Sequence, residues 1–132
     1  SWRGMRHQHI EGVEEYLSDS GQFGYIGFDP TADSLTIGNL VQIMILTFFQ
    51  RCGHRPIVLM GGATGRIGDP SGKSEERKLL DHDLIEDNLL KQIDQVKGLL
   101  DFDPKHGAIL ENNYDFYKDM NVLDYLRDLA RP

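Results

Sequence analysis

An α/β domain with a mostly parallel sheet of at least three strands is the fold class this sequence predicts. Three observations carry it. Short apolar runs alternate with helical patterns, the arrangement of βαβ units with right-handed crossovers. Two of those runs, residues 23–28 and 56–60, end in loops rich in Gly, Asp and Thr. Strand-end loops are where such sheets bind nucleotides and small substrates. The 132 residues, 39% hydrophobic and 27% charged, suit one soluble domain with a modest core.

The elements follow in order. Residues 2–9 are mixed and read as a short helix or arm. Ile10, Val13 and Leu17 share a face, which predicts a helix over 10–18 that ends near Gly21. Residues 23–28 are aromatic and β-branched, a strand. Pro30 and small polar residues make 29–36 a loop. Residues 37–52 are apolar nearly all round, with Leu40, Val41, Ile43, Met44, Ile45, Leu46, Phe48 and Phe49. Such a helix is expected to be buried, and Gly53 closes it. Residues 56–60 read as a central parallel strand. Residues 61–78 form a glycine-rich loop, long enough in a compact domain to be functional. Asp81 or Asp83 caps the next helix, which runs to about Leu100 with Leu84, Ile85, Leu89, Ile93, Val96 and Leu100 in one stripe. Residues 108–110 are a third strand, 112–119 a polar loop and 122–130 another amphipathic helix.

Charge and cysteine usage narrow the function classes. The net charge is −7, and residues 81–132 hold 12 of the 21 acidic groups. No basic stripe is present, so this chain by itself does not read as a nucleic-acid grip. Cys52 is the only cysteine, which excludes an internal disulfide and a cysteine zinc site. A reducing compartment fits that usage. No apolar run reaches the roughly 20 residues a membrane span needs.

The loops match neither common nucleotide motif. Gly72, Lys73 and Ser74 supply the end of a P-loop, but its first glycine falls on Ile67. Gly65 and Gly68 fit a dinucleotide fingerprint whose first glycine falls on Ala63. The first loop instead leads into a helix N-terminus, with its free amides and partial positive charge. Thr31, Thr36 and Asn39 lie beside that end and can donate to phosphate oxygens, and Gly38 permits close approach. The same residues equally suit a plain N-cap at Thr36 and a turn at Asp29 and Pro30. In the second loop Asp69 stands between Gly68 and Pro70, a rigid carboxylate suited to an ammonium. Lys73 and Arg77 are cations suited to phosphate. Residues 74–78 also read as a solvated charge run. Tyr25, at a strand end, is core by default and a ligand contact in the alternative.

Two segments carry a resemblance. Tyr25-Ile-Gly-Phe-Asp-Pro-Thr-Ala-Asp-Ser-Leu-Thr-Ile-Gly-Asn resembles the signature of bacterial-type tyrosyl-tRNA synthetases, which contains the class I His-Ile-Gly-His motif. Gly53-His-Arg-Pro-Ile-Val-Leu-Met-Gly-Gly-Ala-Thr-Gly-Arg-Ile-Gly-Asp-Pro-Ser-Gly-Lys continues it without a gap. Trp2-Arg3-Gly4, Asn112-Asn113-Tyr114-Asp115 and the segment 123–128 are similar too.

The resemblance implies an incomplete Rossmann-like (class I synthetase, HUP-type) nucleotide-binding domain. Residues 1–132 would be one partial catalytic domain, with 1–21 a helical arm and 22–132 the Rossmann-like part. The second ATP signature, the rest of the catalytic domain, the anticodon-binding domain and the C-terminal RNA-binding module are not in this chain. The implied activity is tyrosine–tRNA ligation: activation of L-tyrosine by ATP with Mg2+, then transfer to tRNA(Tyr) through the absent domains. No metal site of the protein's own is implied. A homodimer at full length and a cytoplasmic setting are expected, an organelle being the alternative setting. The implied roles fall by position. Tyr25 would bind the substrate phenol and Asp69 its ammonium, with Thr64 and Asn113 supporting that pocket. Gly27 and Asp29 would line the adenosine side. Thr31, Thr36, Gly38 and Asn39 would face the phosphates of ATP, and Lys73 and Arg77 the leaving pyrophosphate. Tyr25 and Asp69 are thus expected to share one cleft beside the amino end of the apolar helix.

Thr36 departs from the motif, whose first position is His. Losing an oriented donor to a transition-state oxyanion costs about 3–4 kcal/mol where it is well placed. With the second ATP signature and the rest of the catalytic domain also outside this chain, the isolated chain is expected to turn over weakly or not at all. Two alternatives remain at this point. One is a non-catalytic truncated paralogue that binds ligand or protein. The other is a different class I specificity, such as tryptophan.

Overall fold

The computed structural model describes residues 8–67 and 82–128. The elements are α1 (Val13–Tyr16), β1 (Phe23–Phe28), α2 (Ile37–Arg51), β2 (Arg55–Met60), α3 (Thr64–Ile67), α4 (His82–Lys97), β3 (Ile109–Asn112), α5 (Tyr114–Tyr117) and α6 (Val122–Asp128). The three strands form one parallel sheet in the order β1-β2-β3. The α/β class and its parallel sheet agree with the sequence reading.

One face of the sheet holds the core. Alternate strand residues Phe28, Val58 and Met60 pack there with Ile43 and Leu46 of α2 and Leu89 and Val96 of α4. Both crossover helices therefore lie on that face. At Gly24 the ring of Phe49 comes within 3.0 Å of where a Cβ would sit, so a side chain there would require that ring to shift. Gln50 exchanges two hydrogen bonds with Asp101: Nε2 donates to the carbonyl at 2.7 Å, and Oε1 accepts from the amide at 3.1 Å. The pair ties the end of α2 to the turn before β3. Within that turn the Asp103 carboxylate accepts from the amides of Lys105 and His106, at 2.9 and 3.1 Å. Those two bonds hold its carboxyl below the usual range.

The opposite face carries Phe23, Tyr25 and Gly27, all exposed, beside half-buried Ile57 and Leu59. The Arg55 guanidinium lies 5.6 Å from the Phe23 ring centre there. Among the described residues no helix is long and apolar enough to cross a membrane.

Several expectations need correction. Helix α2 is not buried: Ile43 and Leu46 are, but Ile37 is 85% exposed, and Val41, Met44, Ile45 and Phe48 also face outward. A helix on a three-stranded sheet is covered along one stripe, and its remaining sides need other partners. The helix over 10–18 shortens to the single turn α1, because Gly12 precedes it at φ 81° and the chain cannot extend helically through it. Leu84 leaves the α4 stripe and is exposed, while Ile85, Leu89, Val96 and Leu100 stay buried. Strand β3 begins one residue later and ends two later than the alternation implies, since its ladder to β2 runs through Met60 and Asn112. Short helical turns, α3 and α5, stand in the segments read as plain loop. Asp81 lies outside the described residues, as do Trp2, Arg3 and Gly4.

Candidate functional site

Register brings the three strand ends to one level. Phe28 pairs with Met60 and Met60 with Asn112. The ladder continues one step further: Gly61 N donates to Phe28 O at 2.8 Å and Asn113 N to Met60 O at 2.9 Å. Asp29, Thr64 and Asn113 thus come together although some 35 and 49 residues separate Thr64 from the other two. Asn113 Nδ2 donates to Thr64 Oγ1 at 3.3 Å, and that hydroxyl donates to Asp29 Oδ1 at 3.2 Å. Asn113 Oδ1 accepts from Ala63 N at 2.7 Å. Its neighbour Asn112 accepts through Oδ1 from Gly62 N at 3.2 Å and Tyr114 N at 3.1 Å. Buried main-chain donors need such partners. The network therefore fixes the turn after β2 against the end of β3, and Asp29 against both.

Gly61 and Gly62 make the closeness achievable. A Cβ on Gly61 would meet Asp29 Oδ1, with Thr64 Oγ1 at 2.7 Å, and one on Gly62 would meet the carboxamide of Asn112. The guanidinium of Arg66 lies 3.8 Å from the centre of the Tyr114 ring, a cation–π contact at the rim of the network.

Glycine on β1 has a different meaning. The nearest atom to a Cβ on Gly27 would be Leu59 O at 3.9 Å, so none of the described residues crowds the space above it. A strand glycine without a packing use marks where a ligand or another backbone approaches. Tyr25 lies two residues away on the same face and is 70% exposed. It is the third of six strand residues rather than at the strand end, and its side chain is on the face away from α2. Its exposed side chain therefore stands over the sheet face opposite the core. Asp69, Lys73 and Arg77 lie outside the described residues.

At the start of α2 the structure builds a cap. Thr36 N and Thr36 Oγ1 both donate to Asn39 Oδ1 at 2.9 Å, and Asn39 Nδ2 donates to Gln42 Oε1 at 3.0 Å. Thr36 remains exposed, as do Thr31 and Gly38. An open cavity of about 270 Å³ lies beside Thr36, between Leu40 and Ile43 of α2 and Leu99 after α4. Among the described residues its lining is mostly apolar, with Thr36 and Gln95 as the polar side chains. Among the described residues no group of three His, Cys, Asp or Glu is placed to hold a metal ion.

Sequence reading missed Asn112, Arg66 and the amides Asn88, Gln92 and Gln95 of α4. Only the last three left a signal: polar amides spaced four and three apart on a helix are on one side of it.

The family of class I tRNA synthetases (W and Y) has a model that matches residues 23–131, which span the sheet and the whole strand-end network. The chain belongs to that family. It is 51% identical over 131 residues to the tyrosine–tRNA ligase of Cytophaga hutchinsonii, matching 98% of this chain and 31% of the relative. To the Rhodopirellula baltica tyrosine–tRNA ligase it is 49% identical, covering 98% and 30%. The chain thus spans under a third of the length of these relatives. In structure it resembles a C-terminally truncated mitochondrial tyrosyl-tRNA synthetase of Aspergillus nidulans, with a TM-score of 0.73 and 25% identity over 92% of this chain and 38% of that one. The class I Rossmann-like architecture expected from the motifs is the one these synthetases share with it.

Proposed function

We propose that the protein carrying this chain is a tyrosine–tRNA ligase, and that the C-terminal ends of β1, β2 and β3 hold its substrates. Support comes from the tyrosine–tRNA ligases at about half identity and from one observation above all: Tyr25 and Gly27 are exposed side by side on the sheet face opposite the core. In this reading the tyrosine side chain lies over that face with its phenol at Tyr25, and Asp69 takes its ammonium. Thr64 and Asn113 support that pocket, Gly27 and Asp29 line the adenosine side, and Thr31, Thr36, Gly38 and Asn39 meet the phosphates.

The chemistry needs no general base. The carboxylate of tyrosine is ionised at neutral pH. One of its oxygens forms a bond to the α-phosphorus of ATP, and the bond from that phosphorus to the pyrophosphate oxygen breaks. Catalysis rests on alignment and on stabilising the charge that leaves, the role given to Lys73 and Arg77. Mg2+ arrives with ATP as part of the substrate, held mostly by phosphates and water. Transfer to tRNA(Tyr), a homodimer and a cytoplasmic setting belong to the same proposal.

The test is tyrosine-dependent exchange of pyrophosphate into ATP by the protein expressed from its whole reading frame. Exchange with tyrosine and not with tryptophan is expected; exchange with neither refutes the assignment. Gly27→Ala sharpens the test. Stability should move by no more than about 0.5 kcal/mol, because the added methyl would meet no described atom closer than ordinary contact with Leu59 O at 3.9 Å. Exchange should nevertheless fall, by about tenfold or more if the methyl displaces a ligand group by an ångström. A variant that lost stability and activity in parallel would make Gly27 structural.

A further inference from the structure

Helix α4 does more than cover the sheet. Asn88, Gln92 and Gln95 project from one side of it, and all three reach the main chain of the loop between β1 and α2. Asn88 Nδ2 donates to Pro30 O at 3.2 Å, and Gln92 Nε2 donates to Ala32 O at 2.8 Å. Gln95 Oε1 accepts from Leu35 N at 2.8 Å. Gln92 Nε2 also lies 3.5 Å from Asp29 O. Asn88 and Gln92 are buried, at 4% and 2% exposure. Burying a carboxamide is unfavourable unless it is hydrogen-bonded, so a helix that served only as a lid for the core would carry Leu or Ile at these places. The loop has no helix or strand of its own between Asp29 and Thr36. Its path is set from outside, one turn of α4 at a time.

We infer that Asn88, Gln92 and Gln95 are positioning residues for tyrosine activation. They fix the 29–36 loop so that Thr31 and Thr36 stand at the phosphates. The inference rests on the proposed activation reaction. None of the three touches substrate; their effect on rate passes through the loop.

Gln95 offers the cleanest test, because it is exposed and uses its acceptor. Gln95→Met keeps the length and removes Oε1, while Gln95→Glu restores an acceptor. Both are compared with Gln92→Met in the full-length protein. Amide hydrogen exchange across residues 30–36 should quicken in Gln95→Met and Gln92→Met and return toward wild type in Gln95→Glu. The kcat of pyrophosphate exchange should fall about threefold to tenfold for each lost bond, with the KM for tyrosine unchanged and with recovery in Gln95→Glu. A merely structural role would move the melting temperature and both substrates' parameters together. Unaltered loop protection in both Met variants overturns the inference, as does failure of the Glu rescue. If the wild-type protein shows no tyrosine-dependent exchange, the activation reaction is what fails, and loop protection still decides whether α4 holds the loop.

Discussion

Replacing Phe28 by Ala should cost about 3–5 kcal/mol of stability, the range for emptying a buried aromatic site. Phe28 is 2% exposed and belongs to the cluster that joins β1 to both crossover helices. That loss is a large share of a domain's typical stability of about 5–15 kcal/mol. The effect reaches the site because Phe28 is the last residue of β1. Its carbonyl receives the amide of Gly61, and Asp29 follows it in the chain. Phe28→Leu refills most of the volume and should cost less than about 1.5 kcal/mol. Urea unfolding, followed by amide exchange in β1 and β2, separates the two variants. Similar midpoints for Ala and Leu would show that the ring does not anchor these strands.

Gly62→Ala is the second large effect, and its cause is contact rather than cavity. The new methyl would meet the carboxamide of Asn112, whose Cγ lies 3.0 Å from the ideal Cβ position. Asn112 would have to turn away and release the amides of Gly62 and Tyr114. Gly62 is buried, so its N–H would lose its partner without gaining water. Overpacking and a lost buried bond together give about 2–4 kcal/mol. Asn112→Ala removes the obstacle, so the double variant should be less unstable than the sum of the single changes by about 1–3 kcal/mol. A coupling near zero would mean that the strand-end turn accommodates the methyl by another route. The exchange rate should follow stability only in part, since the network also places Thr64 and Asn113.

What the sequence revealed and what it hid have physical causes. Strand β1 was legible to the residue because its aromatic and β-branched run is bounded by Gly21 and Pro30. The apolar character of α2 was legible too, but its burial was not: periodicity reports which faces are apolar, not what covers them. Ile37 and Phe48 are as apolar as Ile43, and only the position of the sheet separates them. The strand-end loops were recognisable from composition and from resemblance. The resemblance put Thr64 and Asn113 in one pocket, but the hold of Asn112 on the turn after β2 was not legible, because it depends on a parallel register that no local pattern encodes. Gly27 and Gly61 are indistinguishable in sequence, yet among the described residues a Cβ on Gly27 would meet nothing closer than 3.9 Å, while one on Gly61 would meet Asp29 and Thr64. The spacing of the amides of α4 showed that they share one side of the helix, but not that the loop between β1 and α2 lies there.

The most direct measurement is a structure of the full-length protein with a non-hydrolysable tyrosyl-adenylate analogue. The analogue's aromatic ring should lie over the face of Tyr25 and Gly27, with its phenol within hydrogen-bonding distance of the Tyr25 hydroxyl and its phosphoryl group toward Thr31 and Thr36. An analogue bound elsewhere, with Tyr25 and Gly27 facing only protein or solvent, would contradict the proposed site.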